Sequence, residues 1–324
     1  MRNFLALSGK TALFVFVTLL LTVSAFSQVK LRRALDFEND NKADFTVFRP
    51  SNNVWYVNKS GGGFIFQQFG LSNNDFMAPG DFDGDLKADI SVWRDTDGVW
   101  YRFNSSNNVF VAQAFGLSGD EPVGRDYDGD GKTDLAVVRR TGGAMIWYIL
   151  RSVDAGFQAV QFGLSTDYTA CGDYDGDGKF DLAVQRPGAT ASSQSTFYIQ
   201  RSSNSSYIIT NWGLSNDLVV PGDYDGDGKT DIAVVREGAT PTSNLVWYIQ
   251  RSTDGGLIAV TFGLTGSDLT AQNDYDGDGK ADIAVWRDTN GTFYVLFSIG
   301  GFQNSGQIQW GIANDFPVAG YDTH

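Results

Sequence analysis

The sequence predicts an all-β fold, and three repeated features lead to that prediction. A nine-residue acidic segment recurs six times, beginning at Asp36, Asp81, Asp126, Asp173, Asp223 and Asp274, with steps of 45, 45, 47, 50 and 51 residues. Each acidic segment is followed by an alternating apolar stretch that ends in Arg. An aromatic pair such as Trp247-Tyr248 comes next, and then an aromatic-Gly-aliphatic triplet such as Phe262-Gly263-Leu264. Alternation with a period of two is typical of strands, and the repeats show no stretch with the 3.6-residue spacing of a helix.

Each repeat is predicted to contain four strands, here called A to D. In the fifth repeat, strand A is residues 218–222, strand B follows the acidic loop, strand C carries the aromatic pair, and strand D ends in the triplet. Four-stranded antiparallel units at a period of 45–51 residues are typical of β-propeller blades. A β-sandwich would lack the strict repetition, and a solenoid would have shorter repeats with parallel strands. The prediction is therefore a β-propeller of six four-stranded blades.

Residues 316–320 resemble strand A of the other repeats, and the sequence predicts that they close the ring. Tyr321 stands where the next acidic loop would begin, so no seventh loop follows. Residues 31–35, which precede the first acidic loop, are much less like a small apolar strand A. We therefore expect the C-terminal strand to form the inner strand of blade one, which would remove an open sheet edge. A truncated seventh blade is the alternative.

Residues 1–27 have the pattern of a secretory signal peptide. Arg2 and Lys10 form its basic region, an apolar stretch follows, and small residues then predict cleavage before Gln28. The alternative is an uncleaved anchor helix, because the apolar stretch approaches membrane-spanning length. We expect residues 28–324 to form a single propeller domain with no membrane span after cleavage. This domain would be secreted or displayed at the cell surface, in the extracellular space or the periplasm.

Composition excludes several classes of protein. Asp and Glu outnumber Lys and Arg by 38 to 24, which gives a formal net charge of −14 and argues against a nucleic-acid partner. The one cysteine, Cys171, rules out a disulfide framework and a cysteine metal site, and we expect it to be a buried thiol. The one histidine is His324, so a Ser-His-Asp or Cys-His triad is not expected. The sequence thus predicts a monomeric protein that is not an enzyme.

The acidic loops have the pattern of calcium sites. Loops three to six read D-Y-D-G-D-G-K-x-D, so carboxylates at positions 1, 3, 5 and 9 converge around glycines at positions 4 and 6, which permit a positive φ. Position 7 is Lys in every loop, and we expect its backbone carbonyl to be a ligand and its side chain to point outward. An all-oxygen ligand set suits Ca²⁺, about one ion per repeat. An EF-hand is excluded because position 12 is Val in every copy, where that motif has Glu.

The predicted metal ligands are therefore the residues at positions 1, 3, 5, 7 and 9 of the six loops. In chain order they are Asp36, Glu38, Asp40, Lys42, Asp44, Asp81, Asp83, Asp85, Lys87, Asp89, Asp126, Asp128, Asp130, Lys132, Asp134, Asp173, Asp175, Asp177, Lys179, Asp181, Asp223, Asp225, Asp227, Lys229, Asp231, Asp274, Asp276, Asp278, Lys280 and Asp282. Loop one (DFENDNKAD) has asparagine at both glycine positions, and loop two (DFDGDLKAD) has Leu86 at the second. A side chain at a positive φ costs roughly 1 kcal/mol or more. We therefore expect about four tight sites, and weaker ones in loops one and two.

The repeat D-x-D-G-D-G-x-x-D followed by an alternating apolar strand is similar to the FG-GAP repeats of integrin α-subunit propellers. It resembles still more closely the bacterial VCBS-type repeats, through the segment FRPSNNVWY at residues 48–56. The resemblance covers residues 28–320. It implies a calcium-bearing propeller, secreted or displayed at a cell surface, that serves in adhesion or ligand recognition, alone or attached to an enzyme.

Two further features have both a functional and a structural interpretation. An Arg ends strand B in each repeat; these residues are Arg49, Arg94, Arg139, Arg186, Arg236 and Arg287. They could form a ring of cations for an anionic ligand, but stacking on the nearby aromatic pair is favoured. Insertions lengthen the B–C connection of repeats three to five, at residues 141–146, 187–196 and 237–246. Because strand direction alternates, these connections would form a raised lip on the face opposite the acidic loops, as a recognition surface or as tolerated insertions.

The sequence thus predicts a secreted, calcium-binding, noncatalytic propeller that binds an extracellular protein or glycan. One alternative is a carbohydrate-active enzyme, such as a propeller-fold polysaccharide lyase, and another is a purely structural module of a cell surface. The lyase would need a cluster of cations or carboxylates in the channel or on the face that carries the B–C and D–A loops, and we cannot assemble one from the sequence.

Overall fold

The computed structural model describes residues 35–318, and all the regular secondary structure in this range is β-strand. The all-β fold predicted from the alternating segments is confirmed. The predicted signal peptide, with its cleavage point, lies outside the described residues and stays a prediction. Among residues 35–318, no helix is long and apolar enough to span a bilayer.

The strands are short and follow one another in the repeating order A, B, C, D. In chain order they are β1 (Phe45–Arg49), β2 (Val54–Asn58), β3 (Phe64–Gln68), β4 (Asp75–Met77), β5 (Ile90–Arg94), β6 (Val99–Phe103), β7 (Phe110–Ala114), β8 (Glu121–Pro122), β9 (Leu135–Thr141), β10 (Ala144–Leu150), β11 (Phe157–Leu164), β12 (Tyr168–Thr169), β13 (Leu182–Arg186), β14 (Gln194–Gln200), β15 (Tyr207–Leu214), β16 (Leu218–Val219), β17 (Ile232–Arg236), β18 (Asn244–Gln250), β19 (Leu257–Leu264), β20 (Asp268–Thr270), β21 (Ile283–Arg287), β22 (Thr292–Phe297), β23 (Asn304–Gln309) and β24 (Phe316–Pro317).

These strands form six antiparallel sheets of four, which are the blades of a β-propeller. Blade one has the order β24-β1-β2-β3, and blades two to six take four consecutive strands each, from β4-β5-β6-β7 to β20-β21-β22-β23. The sequence-based prediction of six four-stranded blades is confirmed within the described residues.

The ring closes through β24, as predicted. Phe316 and Pro317 pair with Phe48 and Val47 of β1, so the last strand of the chain becomes strand A of the first blade. The backbone N–H of Val318 extends this pairing by donating to the carbonyl of Thr46 at 2.9 Å. Residues 316–318 therefore complete blade one and do not begin a seventh blade.

Strands B and C carry the core. The four residues of β5, β17 and β21 that precede the terminal Arg are all buried, and all but Ser91 are apolar. Six of the eight tryptophans are fully buried, namely Trp55, Trp93, Trp100, Trp147, Trp247 and Trp286. Truncating a buried tryptophan to alanine costs roughly 3–5 kcal/mol, so these residues form the main support of the blades. Cys171 is a buried thiol in the same core, which confirms that prediction.

The aromatic-Gly-aliphatic triplet at the end of strand D has a structural explanation. The indole N–H of Trp247 donates to the carbonyl of Phe262 at 3.0 Å, and the tryptophan at this place in other blades makes the same bond. The glycine that follows turns the chain through a positive φ, which is 97° at Gly263. A Cβ at Gly263 would lie 3.0 Å from Val285 of the next blade, so glycine also permits close packing between blades.

The B–C insertions do not all form loops. In blade three the extra residues lengthen β9 and β10, which are joined by a turn at Gly142 and Gly143. In blades four and five, part of each insertion extends strand C, and residues 187–193 and 237–243 form true loops. The predicted insertion lip is therefore restricted to blades four and five.

Candidate metal sites

Each acidic loop connects strand A to strand B and folds around its first Asp. In loop five, Oδ1 of Asp223 accepts the N–H of Gly226 at 2.6 Å, and Oδ2 accepts the N–H of Gly228 at 2.9 Å. The N–H groups at positions 4 and 6 make the same two bonds in every loop. These positions have a positive φ even where they are not glycine, with 62° at Asn39, 70° at Asn41 and 74° at Leu86. Loops one and two thus keep the backbone of the others, at the cost predicted for side chains at these positions.

The Asp at position 9 lies on the buried side of each loop. Oδ2 of Asp231 accepts the N–H of Tyr224 at 2.8 Å, and Oδ1 accepts the N–H of Ser252 at 2.7 Å. Asp231 has no exposed surface, and the same holds for its equivalents Asp44, Asp89, Asp134, Asp181 and Asp282. These carboxylates tie the acidic loop to the C–D turn of the same blade.

The C–D turn is a part of the site that the sequence analysis missed. In blade five, Ser252 Oγ donates to Asp227 at position 5 (2.9 Å), and Thr253 Oγ1 donates to Asp225 at position 3 (2.6 Å). A serine stands at the place of Ser252 in all six repeats: Ser60, Ser105, Ser152, Ser202, Ser252 and Ser298. This recurrence was the signal that could have identified the turn.

The loops bring carboxylates together in five of the six blades. Groups whose oxygens lie within 4.8 Å of one another are Asp81, Asp83 and Asp85; Asp126, Asp128 and Asp134; Asp173, Asp175 and Asp181; Asp223, Asp225 and Asp231; and Asp274, Asp276 and Asp282. Blades three to six thus use positions 1, 3 and 9, whereas blade two uses positions 1, 3 and 5. The position 5 carboxylates of blades three to six lie outside these groups. In all six loops, the position 5 carboxylate accepts the N–H of the lysine at position 7.

Loop one forms no such group among the described residues. Glu38 is turned towards the C–D turn, where its Oε1 accepts the N–H of Gly61 at 2.6 Å and its Oε2 lies 3.4 Å from Nζ of Lys59. The expectation that loop one differs from the standard site agrees with this arrangement.

Five of the six position 7 lysines, all except Lys87, lie across the preceding loop and do not point outward, so that expectation was wrong for them. A Cβ at Gly226 of loop five would lie 2.7 Å from Cε of Lys280, so the lysine stem packs across position 4 of the preceding loop. The same contact joins Lys132 to Gly84, Lys179 to Gly129, Lys229 to Gly176, and Lys42 to Gly277. Glycine at position 4 therefore permits the positive φ of its own turn and also leaves room for the lysine stem of the next loop.

The six loops are also linked by backbone hydrogen bonds. The N–H at position 8 of each loop donates to the carbonyl at position 1 of the preceding loop, over 2.6–2.8 Å. The donors are Ala43, Ala88, Thr133, Phe180, Thr230 and Ala281, and the acceptors in the same order are Asp274, Asp36, Asp81, Asp126, Asp173 and Asp223. Since Ala43 of loop one donates to loop six, the loops form a closed ring.

The electrostatics of the loops favour a bound cation. Burial raises the pKa of Asp181, Asp231 and Asp282 to about 7, against the opposing effect of their backbone hydrogen bonds. Burial likewise raises the pKa to about 6 in Asp44, Asp89, Asp126, Asp134, Asp173 and Asp223. A nearby cation would offset this cost of ionisation.

The residues present fit a hard metal ion. Oδ1 of Asp175 and Oδ2 of Asp276, both at position 3, are buried and have no hydrogen-bond partner within residues 35–318. A buried carboxylate oxygen needs a partner, and a hard cation supplies one. With only oxygen donors available in each group, Ca²⁺ is the ion that the donor set suits best.

The raised pKa values predict an unusual pH dependence for metal-depleted protein. A carboxyl group whose pKa is higher in the folded state than in the unfolded state, where it is near 3.8, stabilises the fold as it binds its proton. We therefore expect the urea midpoint of metal-depleted protein to rise between about pH 8 and about pH 5. With saturating calcium the midpoint should fall over the same range, because protons compete with the metal. A midpoint that falls from pH 8 to pH 5 in both conditions would contradict the prediction.

On the opposite face, each strand B Arg is fixed by two contacts. Cζ of Arg236 lies 4.6 Å from the ring centroid of Tyr248, and its Nε and Nη2 bond to Oδ1 and Oδ2 of Asp217 at 2.9 and 2.8 Å. The equivalent pairs are Arg94 with Asp75, Arg139 with Asp120, Arg186 with Asp167, Arg287 with Asp268, and Arg49 with Asp315. Stacking on the aromatic pair, the favoured interpretation, is confirmed. These arginines are therefore already paired, each with a buried carboxylate that the sequence analysis missed.

Comparisons with known proteins agree with this architecture. Residues 126–184 and 173–234 match the model of the FG-GAP-like repeat. No curated protein matches the sequence significantly. One similar solved structure is an Agrocybe aegerita lectin described as specifically recognising non-reducing terminal N-acetylglucosamine, with a TM-score of 0.52 and 14% identity over 84% of this chain and 90% of that one.

A second similar structure is a triple arginine-to-alanine mutant of AofleA from Arthrobotrys oligospora. It has a TM-score of 0.51 and 9% identity, over 90% of each chain. At these identities the two likenesses concern the fold alone. The chain is thus a six-bladed β-propeller, and residues 126–234 of it match the FG-GAP-like repeat.

Proposed function

We propose that this chain is a noncatalytic recognition module that works outside the cell, and that calcium ions hold its A–B loops. The carboxylate groups of blades three to six are the tight sites, and loops one and two bind calcium more weakly. Bound calcium would supply the positive charge that the clustered carboxylates lack. The chain's own residues fix the geometry, because the Asp at position 1 folds the loop and the Asp at position 9 joins it to the C–D turn.

The observation that best supports a recognition role is the difference between the face with the acidic loops and the face with the B–C loops. The face with the acidic loops repeats the same contacts from blade to blade, whereas the B–C loops of the other face differ between blades. The two long B–C loops are held in place, since Gly188 N–H donates to Ser215 Oγ at 2.7 Å and Gly238 N–H donates to Thr265 Oγ1 at 2.8 Å. Loops that are already ordered lose little conformational entropy when a partner binds.

The exposed tips of these loops suit a polar partner. Residues 189–192 and 239–242 are exposed and consist of alanine, proline, serine and threonine. Such tips offer hydroxyl and backbone hydrogen bonds to a glycan or to a protein surface. A glycan is the first class to test, because one lectin of similar fold is described as recognising non-reducing terminal N-acetylglucosamine.

The test is binding of calcium-loaded protein to a glycan array, compared with two double variants. Ala189→Glu with Ala239→Glu places a charge on both long B–C loops, and we expect it to weaken binding at least roughly tenfold. Ser51→Glu with Thr96→Glu is the matched control, because it places the same charges on exposed B–C turns of blades one and two. The control should bind like wild type.

Equal loss of binding in both variants, or in neither, would contradict the assignment of the site to the long loops. Turnover of a bound polysaccharide would contradict the noncatalytic role. An array without any bound glycan would leave a protein as the partner, and immobilised extracellular protein fractions with the same two variants would then apply the same criterion.

A further inference from the structure

One buried position of strand C differs in blade two. The residue after the aromatic pair is a buried aliphatic in the other five blades: Val57, Ile149, Ile199, Ile249 and Val295. In blade two this residue is Arg102, on β6. A guanidinium in place of an apolar side chain carries a desolvation cost and needs an explanation.

The guanidinium of Arg102 lies beneath loop two. Its Cζ is 5.1 Å from the ring centroid of Phe82, which is position 2 of that loop. Burial lowers the pKa of Arg102, whereas the charges of Asp89 and Asp83 raise it, so both carboxylates lie within electrostatic range. Its Nε and Nη1 are buried without a hydrogen-bond partner among the described residues. The strand B arginines each form an ion pair with one buried carboxylate. Within residues 35–318, the guanidinium of Arg102 forms no such pair, and its positive charge acts on the carboxylates of loop two.

The carboxylates of loop two are also arranged differently. In blades three to six, the position 9 Asp belongs to the group of converging oxygens, whereas in blade two Asp85 takes that place and Asp89 lies outside the group. Leu86, at a φ of 74°, further separates this loop from loops three to six. The blade that contains the internal cation is therefore also the blade whose carboxylate group is changed.

We propose that Arg102 makes loop two independent of calcium, because its guanidinium supplies near Asp83 and Asp89 the positive charge that calcium supplies in blades three to six. The inference rests on the proposed calcium sites of those blades. A fixed positive charge beside a loop offsets repulsion between its carboxylates and also opposes entry of a divalent cation. Loop two then keeps its folded structure when calcium is scarce, while the loops of blades three to six depend on the ion.

The test is calcium binding by Arg102→Val, which installs the residue found in blades one and six. Equilibrium dialysis of metal-depleted protein should show one more bound calcium ion per chain than wild type, or a gain in affinity of at least roughly tenfold at one site. Arg102→Lys keeps the positive charge and should bind calcium like wild type. Leu86→Gly relieves the strained backbone without removing the cation, and it should raise the melting temperature without adding a site.

The melting temperature without metal provides a second readout. Metal-depleted Arg102→Val should melt below Arg102→Lys, since only the valine variant leaves the carboxylates of loop two without a nearby cation. The inference is overturned if wild type binds calcium in blades three to six and Arg102→Val adds no ion and no affinity. If wild type binds no calcium at all, the proposed function fails, and the melting comparison alone decides whether Arg102 acts as an internal cation.

Discussion

Excess chelator is expected to lower the melting temperature of this protein on the order of 20 °C. Each site that binds only the folded state stabilises it by about 2.7 kcal/mol when calcium is present at about 100 times its Kd. Four such sites contribute about 11 kcal/mol, and a protein of this size loses roughly 2 °C per kcal/mol. Differential scanning calorimetry with calcium and with chelator measures the effect.

Two additions make this measurement specific. Returning excess calcium should restore the melting temperature, whereas magnesium should restore little of it, because magnesium requires octahedral geometry and keeps its water ligands. An unchanged melting temperature in excess chelator would rule out calcium as a structural component of the loops.

Replacing Asp315 by Asn is expected to reduce the free energy of unfolding by about 3 kcal/mol, because it leaves Arg49 without its buried partner. Asp315 is almost fully buried and bonds Nε and Nη2 of Arg49 at 2.8 Å each. Its Oδ2 also accepts the N–H of Ile312 at 2.9 Å. Urea unfolding followed by tryptophan fluorescence measures the loss.

Asp217→Asn is the matched control for Asp315→Asn. It breaks the equivalent ion pair of blade five, between Asp217 and Arg236, and should reduce the free energy of unfolding by a similar amount. Only Asp315, however, lies beside the strand that closes the ring. Limited proteolysis should therefore cut near residues 310–318 faster in Asp315→Asn than in Asp217→Asn. Equal cleavage of the two variants at that place would show that the Arg49 contact does not hold the closing strand.

The features that could be predicted from the sequence are those that depend on a single blade. Strands B and C followed from two-residue alternation, and the turns of the acidic loops followed from the residues at positions 4 and 6. Even the strained loop two was foreseeable, because Leu86 replaces a glycine whose φ is positive in the other loops. Within one blade, sequence distance and spatial distance are closely related.

Contacts between blades could not be predicted from the sequence. Whether Lys280 points outward or lies across Gly226 depends on the angle and distance between blades five and six. The bond from Ala281 to the carbonyl of Asp223 likewise depends on how neighbouring loops face each other. Neither contact changes the residue pattern of one repeat in a way that specifies its partner.

Some missed features had a readable signal. An Asp precedes the strand B Arg by a constant 19 residues in blades two to six, as in Asp217 and Arg236. A constant spacing between opposite charges across repeats of different length indicates a contact. The sequence Gly142-Gly143 is typical of a two-residue hairpin, and it could have predicted that blade three extends its strands there.

The closure of blade one places the two ends of the described chain next to each other. The carbonyl of Leu35 accepts the N–H of Asp44 just as that of Gly80 accepts the N–H of Asp89, while Val318 bonds to Thr46 in the way that Ala78 bonds to Ser91 in blade two. In the frame of blade two, one residue separates these two positions, a gap of about 7 Å. A polypeptide can therefore enter and leave the propeller at almost the same point. The whole ring can be grafted into a surface turn of another protein, or cut and rejoined elsewhere, without stretching the host.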